Sequence, residues 1–156
     1  MPVIQPDHVH RIDVDIIQGI LETAEAAIGY SLDDPQTHRP ATSKFITTSH
    51  PVRPVFYPYV VIEILSMSGA RLDIRQALFE HTASIRFMVR GKTVTHVHNI
   101  INGINEVLER DLMTFAAAGL HEMKVTGSSA IIWEQGTETY ARTLSAQCLL
   151  FSKYSA

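Results

Sequence analysis

The chain has 156 residues, 46% hydrophobic and 19% charged, which is room for one domain with a sizeable core and too little for two of ordinary size. Its 13 lysine and arginine residues are scattered among 16 acidic ones for a net charge of -3, so the clustered basic footprint of a nucleic-acid binder is missing. A lone cysteine excludes an internal disulfide, and neither a signal peptide nor an apolar run of the roughly 18 residues that a membrane span needs is visible, so cytosolic synthesis is the expectation.

Taken in order, Ile12, Ile16, Ile17, Ile20, Leu21, Ala24 and Ile28 recur at helical spacing, with Asp13, Glu22 and Glu25 off that face. The pattern predicts an amphipathic helix that begins between Asp7 and Asp13 and stops at Gly29. Ser31 to Pro58 holds five of the seven prolines, Pro35, Pro40, Pro51, Pro54 and Pro58, yet it also carries Phe45, Ile46, Val55, Phe56 and Tyr57. Long connections without regular structure are rare inside compact domains. This one reads either as an arm that docks on a neighbouring surface and is dispensable for folding, or as a loop folded onto its own domain.

From Tyr59 the composition turns to β. Tyr59 to Ser66 is a β-branched run apolar on both faces and is predicted to be a central strand. Arg71 to Gln76 links it to a second strand, Thr82 to Arg90, in which Ile85, Phe87 and Val89 alternate with polar residues. After a turn at Gly91-Lys92, a long helix is expected from Thr95 to Leu120. Its face is Val97, Ile100, Ile101, Ile104, Val107, Leu108 and Leu112, and Gly119 supplies the stop. Glu122 to Thr126, a bulge at Gly127, Ala130 to Trp133, a turn over residues 134–137 and a last strand from Thr139 to Lys153 complete the chain. The expected fold is α+β in one domain over 1–156. It is a mainly antiparallel sheet of about four strands with two helices on one face and a long proline-rich arm at 31–58.

Reaction chemistry finds little to build on. Of the eight histidines, His8/His10 and His96/His98 form local pairs, but a spacing of two converges on a metal only along an extended backbone, and both pairs fall at predicted helix starts. Gly91-Lys92-Thr93 resembles the end of a phosphate loop, yet Arg86 stands where the upstream glycine is required. Gly127-Ser128-Ser129 lies in a strand pattern and makes no nucleophile elbow, and Asp33-Asp34 is a turn signal. Trp133 and Phe87 are expected as core anchors and Cys148 as a small buried hydrophobe.

Four stretches resemble the tail terminator (tail-completion) proteins of long-tailed bacteriophages and related archaeal viruses. They are YPYVVIEILS, RQALFEHTASIRFMVRG, VHNIINGINEVLERDLMTFAAAGL and SSAIIWEQGTETYARTLSAQCLLFS. The resemblance is one of element order over Ile12 to Phe151. It implies a virion protein of the tail and neck, without catalytic residues or cofactor. Such a subunit forms a ring with itself, usually of six. The ring sits on the tail tube protein at its head-proximal end, stops tube growth, and meets the head-closure or connector protein while DNA passes through the lumen unbound. Mild acidity suits such a passage, because a basic lumen would hold phosphate.

The residues read as ring or tube contacts are Arg39, Lys44, Phe45, Arg53, Phe56, Tyr57, Arg71, Asp73 and Arg75, the charges and apolar side chains of the arm and of the adjoining strand ends. Other readings are a different neck or tube component, or a metal-dependent enzyme built on His81, His96, His98 and His121.

Overall fold

The structure, a computed structural model, describes residues 15–22, 44–49, 56–73 and 78–153. Within them the chain runs α1 (helical over 15–22), β1 (Ile46–Thr47), β2 (Tyr59–Asp73), β3 (Leu78–Gly91), α2 (Val94–Arg110), α3 (Leu112–Ala117), β4 (His121–Ser128), β5 (Ile132–Glu134) and β6 (Thr139–Lys153). The sheet has six strands in the order β1-β2-β3-β6-β4, with β5 on the same side of β6 as β4. Every pairing is antiparallel except that of β1 with β2. The expected α+β class holds, and the count of about four strands becomes six because the two-residue β1 is too short to leave a period in the sequence and the stretch read as running on past the Gly127 bulge contains a separate strand, β5.

The core forms where the helical stripe meets the alternating strands. On α2, Val97, Ile100, Ile101, Ile104, Val107 and Leu108 are buried, and they pack with Val60 and Ile62 of β2, Ile85, Phe87 and Val89 of β3, and Leu144, Ala146, Cys148 and Leu150 of β6. From Ser84 to Gly91 burial on β3 alternates strictly, as a strand with one covered face requires. Ile17 and Leu21 of α1 join the same cluster.

The single long helix of the expectation is two. The Thr93 hydroxyl caps α2 by accepting from the His96 amide at 3.2 Å, so the helix begins just ahead of the expected start at Thr95. At Asp111 the backbone leaves helical geometry, with φ -89 and ψ 34, and a separate short helix, α3, follows. Leu112, read as the last member of the buried stripe, is therefore 44% exposed. Gly119 does end the helical region, at φ 99, with Leu120 N donating to Phe115 O and Gly119 N to Ala116 O in the pairing of a left-handed cap. Phe115 and Leu120 are both buried beside it.

The strands are longer than their sequence signals. The strand expected to end at Ser66 continues through Ser68, Gly69 and Ala70, paired with Thr82, His81 and Glu80 of β3, so the two strands form a hairpin that runs well past the buried stripe. β2 is also not central. β3 and β6 occupy the middle, and among the described strands β2 has only β1 beyond it, at Val60 and Val61. Burial of Val60, Val61 and Ile62 from both faces produces the same apolar run that a central strand would, which is why the sequence does not separate the two.

Candidate assembly interface

The proline-rich stretch is only partly described, and the described part folds back on the domain. Phe45 O accepts from Val60 N at 2.8 Å, Ile46 pairs with Val60, and Gln18 Nε2 of α1 donates to Ile46 O at 2.9 Å. Phe45, 6% exposed, and Ile46, 2% exposed, sit in the hydrophobic core. Of the two readings of this stretch, the loop folded onto its own domain describes residues 45–47, and Phe45 is a core residue here instead of a free contact side chain.

Those of the other expected contact residues that are described do not gather in one place. Lys44 is exposed just ahead of β1, and Phe56 and Tyr57 are half-buried at the entry to β2. The Tyr57 ring lies 4.9 Å from Lys92 Nζ and 5.6 Å from the ring of Tyr59. Arg71 is exposed near the far end of the hairpin, its guanidinium 5.5 Å above the Phe79 ring. Tyr57 and Arg71 are separated by about 45 Å of extended chain. Asp73 ends β2, and Arg39, Arg53 and Arg75 lie outside the described residues.

The open border of β2 is what the sequence reading missed. Beyond Val61 no described strand pairs with it, and a cleft of about 460 Å³ follows that border, lined by Thr48 and by residues Ile62 to Met67. A register shift between Ile64 and Ser66 turns Leu65 outward, where it is 52% exposed. The opposite border of the sheet is β4, whose register shifts between Val125 and Gly127, at the bulge expected from the sequence. Unpaired borders present rows of amide and carbonyl groups, which makes them the natural joining surfaces of a sheet.

Around these borders the charges are paired across strands. Arg86 of β3 binds Glu63 of β2, and Arg90 of β3 meets Glu134 of β5 at 2.7 Å. Burial raises the Tyr59 hydroxyl above the ordinary tyrosine pKa; Arg90 pulls it down, while Tyr57 and Glu134 push it further up. Trp133, expected in the core, is instead 49% exposed at the β5–β6 turn, its ring 4.7 Å from that of Tyr140. Met113 on α3 is 83% exposed. Neither feature announces itself in sequence, because an apolar residue at a strand end or a helix break looks like a core residue.

Two of the described histidines, His81 and His98, make side-chain hydrogen bonds. His98 Nδ1 accepts from Arg142 Nη1 at 2.9 Å, and the same arginine donates through Nε to Ser129 O at 2.8 Å, tying α2 to the end of β4. His81 Nε2 lies 2.7 Å from Ser152 Oγ, but that serine is fully buried between strands, where no substrate reaches it. Among the described residues no three His, Cys, Asp or Glu side chains gather as a metal site would need, and no helix is long and apolar enough to cross a membrane.

No family model matches the sequence, and no curated protein does. Among solved structures, the fold is similar to that of a chain in the virion of a native gene transfer agent particle. The TM-score is 0.52 at 12% sequence identity, over 86% of this chain and 94% of that one.

Proposed function

We propose that the protein is a structural subunit of a phage-like virion. It forms a ring, of about six copies by the resemblance, at the head-proximal end of the tail tube, ends tube growth there, and joins the tail to the head connector. The observation that carries this reading is the likeness to a virion chain over nearly the full length of both proteins, which pairs the fold with a particle component. The element order noted in sequence supports the narrower position within the tail. A border on each side of one sheet that no described strand fully covers also suits a subunit that must meet an identical neighbour on its left and on its right.

DNA passing such a ring needs a surface that does not hold phosphate. The cross-strand pairs Glu63–Arg86 and Glu134–Arg90 fit that need, since each neutralises a guanidinium within the sheet.

Native mass spectrometry of the purified protein, and negative-stain images of the protein mixed with tail tubes, test the reading. A closed ring seated on one end of each tube, with no further tube subunits added beyond it, is the expected result. A protein that stays monomeric at high concentration and never caps tubes overturns it. Incorporation along the tube would instead assign the chain to the tube, and binding to isolated connectors alone would assign it to head closure.

A further inference from the structure

We propose that the contact between neighbouring copies is a β-strand addition in which the β4 border of one copy pairs, antiparallel, with the open border of β2 in the next. The proposal rests on the ring reading above and names the surface that closes the ring.

Three observations converge on it. The first is the two borders of one sheet: among the described strands, β1 pairs with β2 at Val60 and Val61 and no other covers that side of it, a cleft runs from Ile62 to Met67, and no described strand lies outside β4. The second is direction. β2 pairs antiparallel with β3, β3 with β6 and β6 with β4, so β4 runs opposite to β2. In a ring whose copies all point the same way along the axis, the β4 of one copy therefore meets the β2 of the next in antiparallel sense, and the alternation continues unbroken through the contact.

The third is the match of side chains. Met123 is buried on the helix-covered side of β4, Val125 packs against the core, and Lys124 between them is exposed. On β2, Ile62 belongs to the core, Ile64 has the same parity, and Glu63 points the other way, to Arg86. Setting Lys124 opposite Glu63 also sets Val125 opposite Ile62 and Met123 opposite Ile64. One register thus carries the apolar layer across the contact on one face and adds a cation to the Glu63–Arg86 pair on the other. A shift by one residue would place Lys124 against the apolar layer, which strand alternation forbids. The charges agree with the apolar pattern, and that agreement selects a second copy of this chain as the occupant.

Directly opposed residues in an antiparallel pair have Cα atoms about 4.5 to 5.5 Å apart, within reach of a disulfide. The test is the double variant Glu63→Cys/Lys124→Cys, with Cys148→Ala as background, oxidised gently and run on a non-reducing denaturing gel beside each single variant. The double variant is expected to give a ladder of covalent oligomers. Each single variant gives none, and a mixture of the two singles gives dimers alone. Absence of a ladder from the double variant overturns the proposal. If native mass spectrometry of that same sample shows a ring, the ring reading stands and only the contact surface is wrong; a monomer removes both. Lys124→Glu alters one exposed side chain and is the check should the cysteine variant fold poorly. It is expected to weaken self-association about two- to fivefold with an unchanged circular dichroism spectrum. Equal association overturns the register.

Discussion

Arg86 on β3 lies directly opposite Glu63 on β2, and both its Nε, at 3.0 Å, and its Nη2 reach a single oxygen of that carboxylate. The two side chains are 40% and 24% exposed, so water screens them and the pair contributes little to folding by itself. Arg86→Ala is expected to cost about 1 kcal/mol or less by urea denaturation of the monomer. A loss of about 3 kcal/mol, the range of a broken buried pair, would show the pair to be far less solvated than its exposure implies.

Ile46 gives the opposite expectation. At 2% exposed and held between α1 and β2, it is a core residue on a two-residue strand. Ile46→Ala is expected to cost about 2 to 4 kcal/mol. Deleting residues 43–55 removes Phe45 with it and is expected to give a chain lacking a cooperative thermal transition. A deletion variant with a sharp transition near that of the parent would mean that this stretch is dispensable for folding after all.

What was legible in the sequence follows from where periodicity survives tertiary context. The stripe Val97 to Leu108 is buried as its spacing requires, and the last strand runs from Thr139 to Lys153 as read. Phe87 and Cys148 are core residues, as their alternating surroundings indicate. The stripe fails at Leu112 because Asp111 breaks the helix one residue earlier, and a break in the backbone leaves no mark on the spacing of apolar residues. Gly69 misled for another reason. Glycine usually marks a turn, but here its missing side chain makes room for the His81 ring across the hairpin, so the strand continues through it. For the interface, composition named charged and apolar candidates on the arm. The open borders of β2 and β4 were invisible, since strand order is a long-range property and the same apolar run serves an edge or a centre.

Tyr59 links stability to alkaline pH. It is buried at the start of β2, and burial, ahead of the opposing pull of Arg90, raises its folded pKa above the ordinary value. The unfolded chain therefore loses this proton first as pH rises. Tyr59 adds stability in full below about pH 10, where both states hold the proton, and that stability drains away as pH climbs through the folded pKa. Tyr59→Phe removes the titration. The parent is expected to lose stability relative to this variant between pH 9 and pH 11, compared by urea melts at each pH to remove the effects of other groups. A constant difference across that range would rule the linkage out.

The contact between His81 and Ser152 and the glycine beneath it form a coupled unit. Ser152 is fully buried, its Oγ is 2.7 Å from His81 Nε2, and a methyl group on residue 69 would come within 3.0 Å of Nδ1 on the same ring. Ser152→Ala removes the hydrogen bond and is expected to cost about 1 to 2 kcal/mol. Gly69→Ala must push the ring aside, which loosens the same bond. Once Ser152 is alanine the ring has less to lose by moving, so Gly69→Ala should be milder in that background. The two substitutions together are then expected to cost less than their sum, by about 0.5 to 1 kcal/mol in a double-mutant cycle. Strict additivity would mean that the ring accommodates the methyl without leaving Ser152, and that the close approach at Gly69 is not what fixes the histidine.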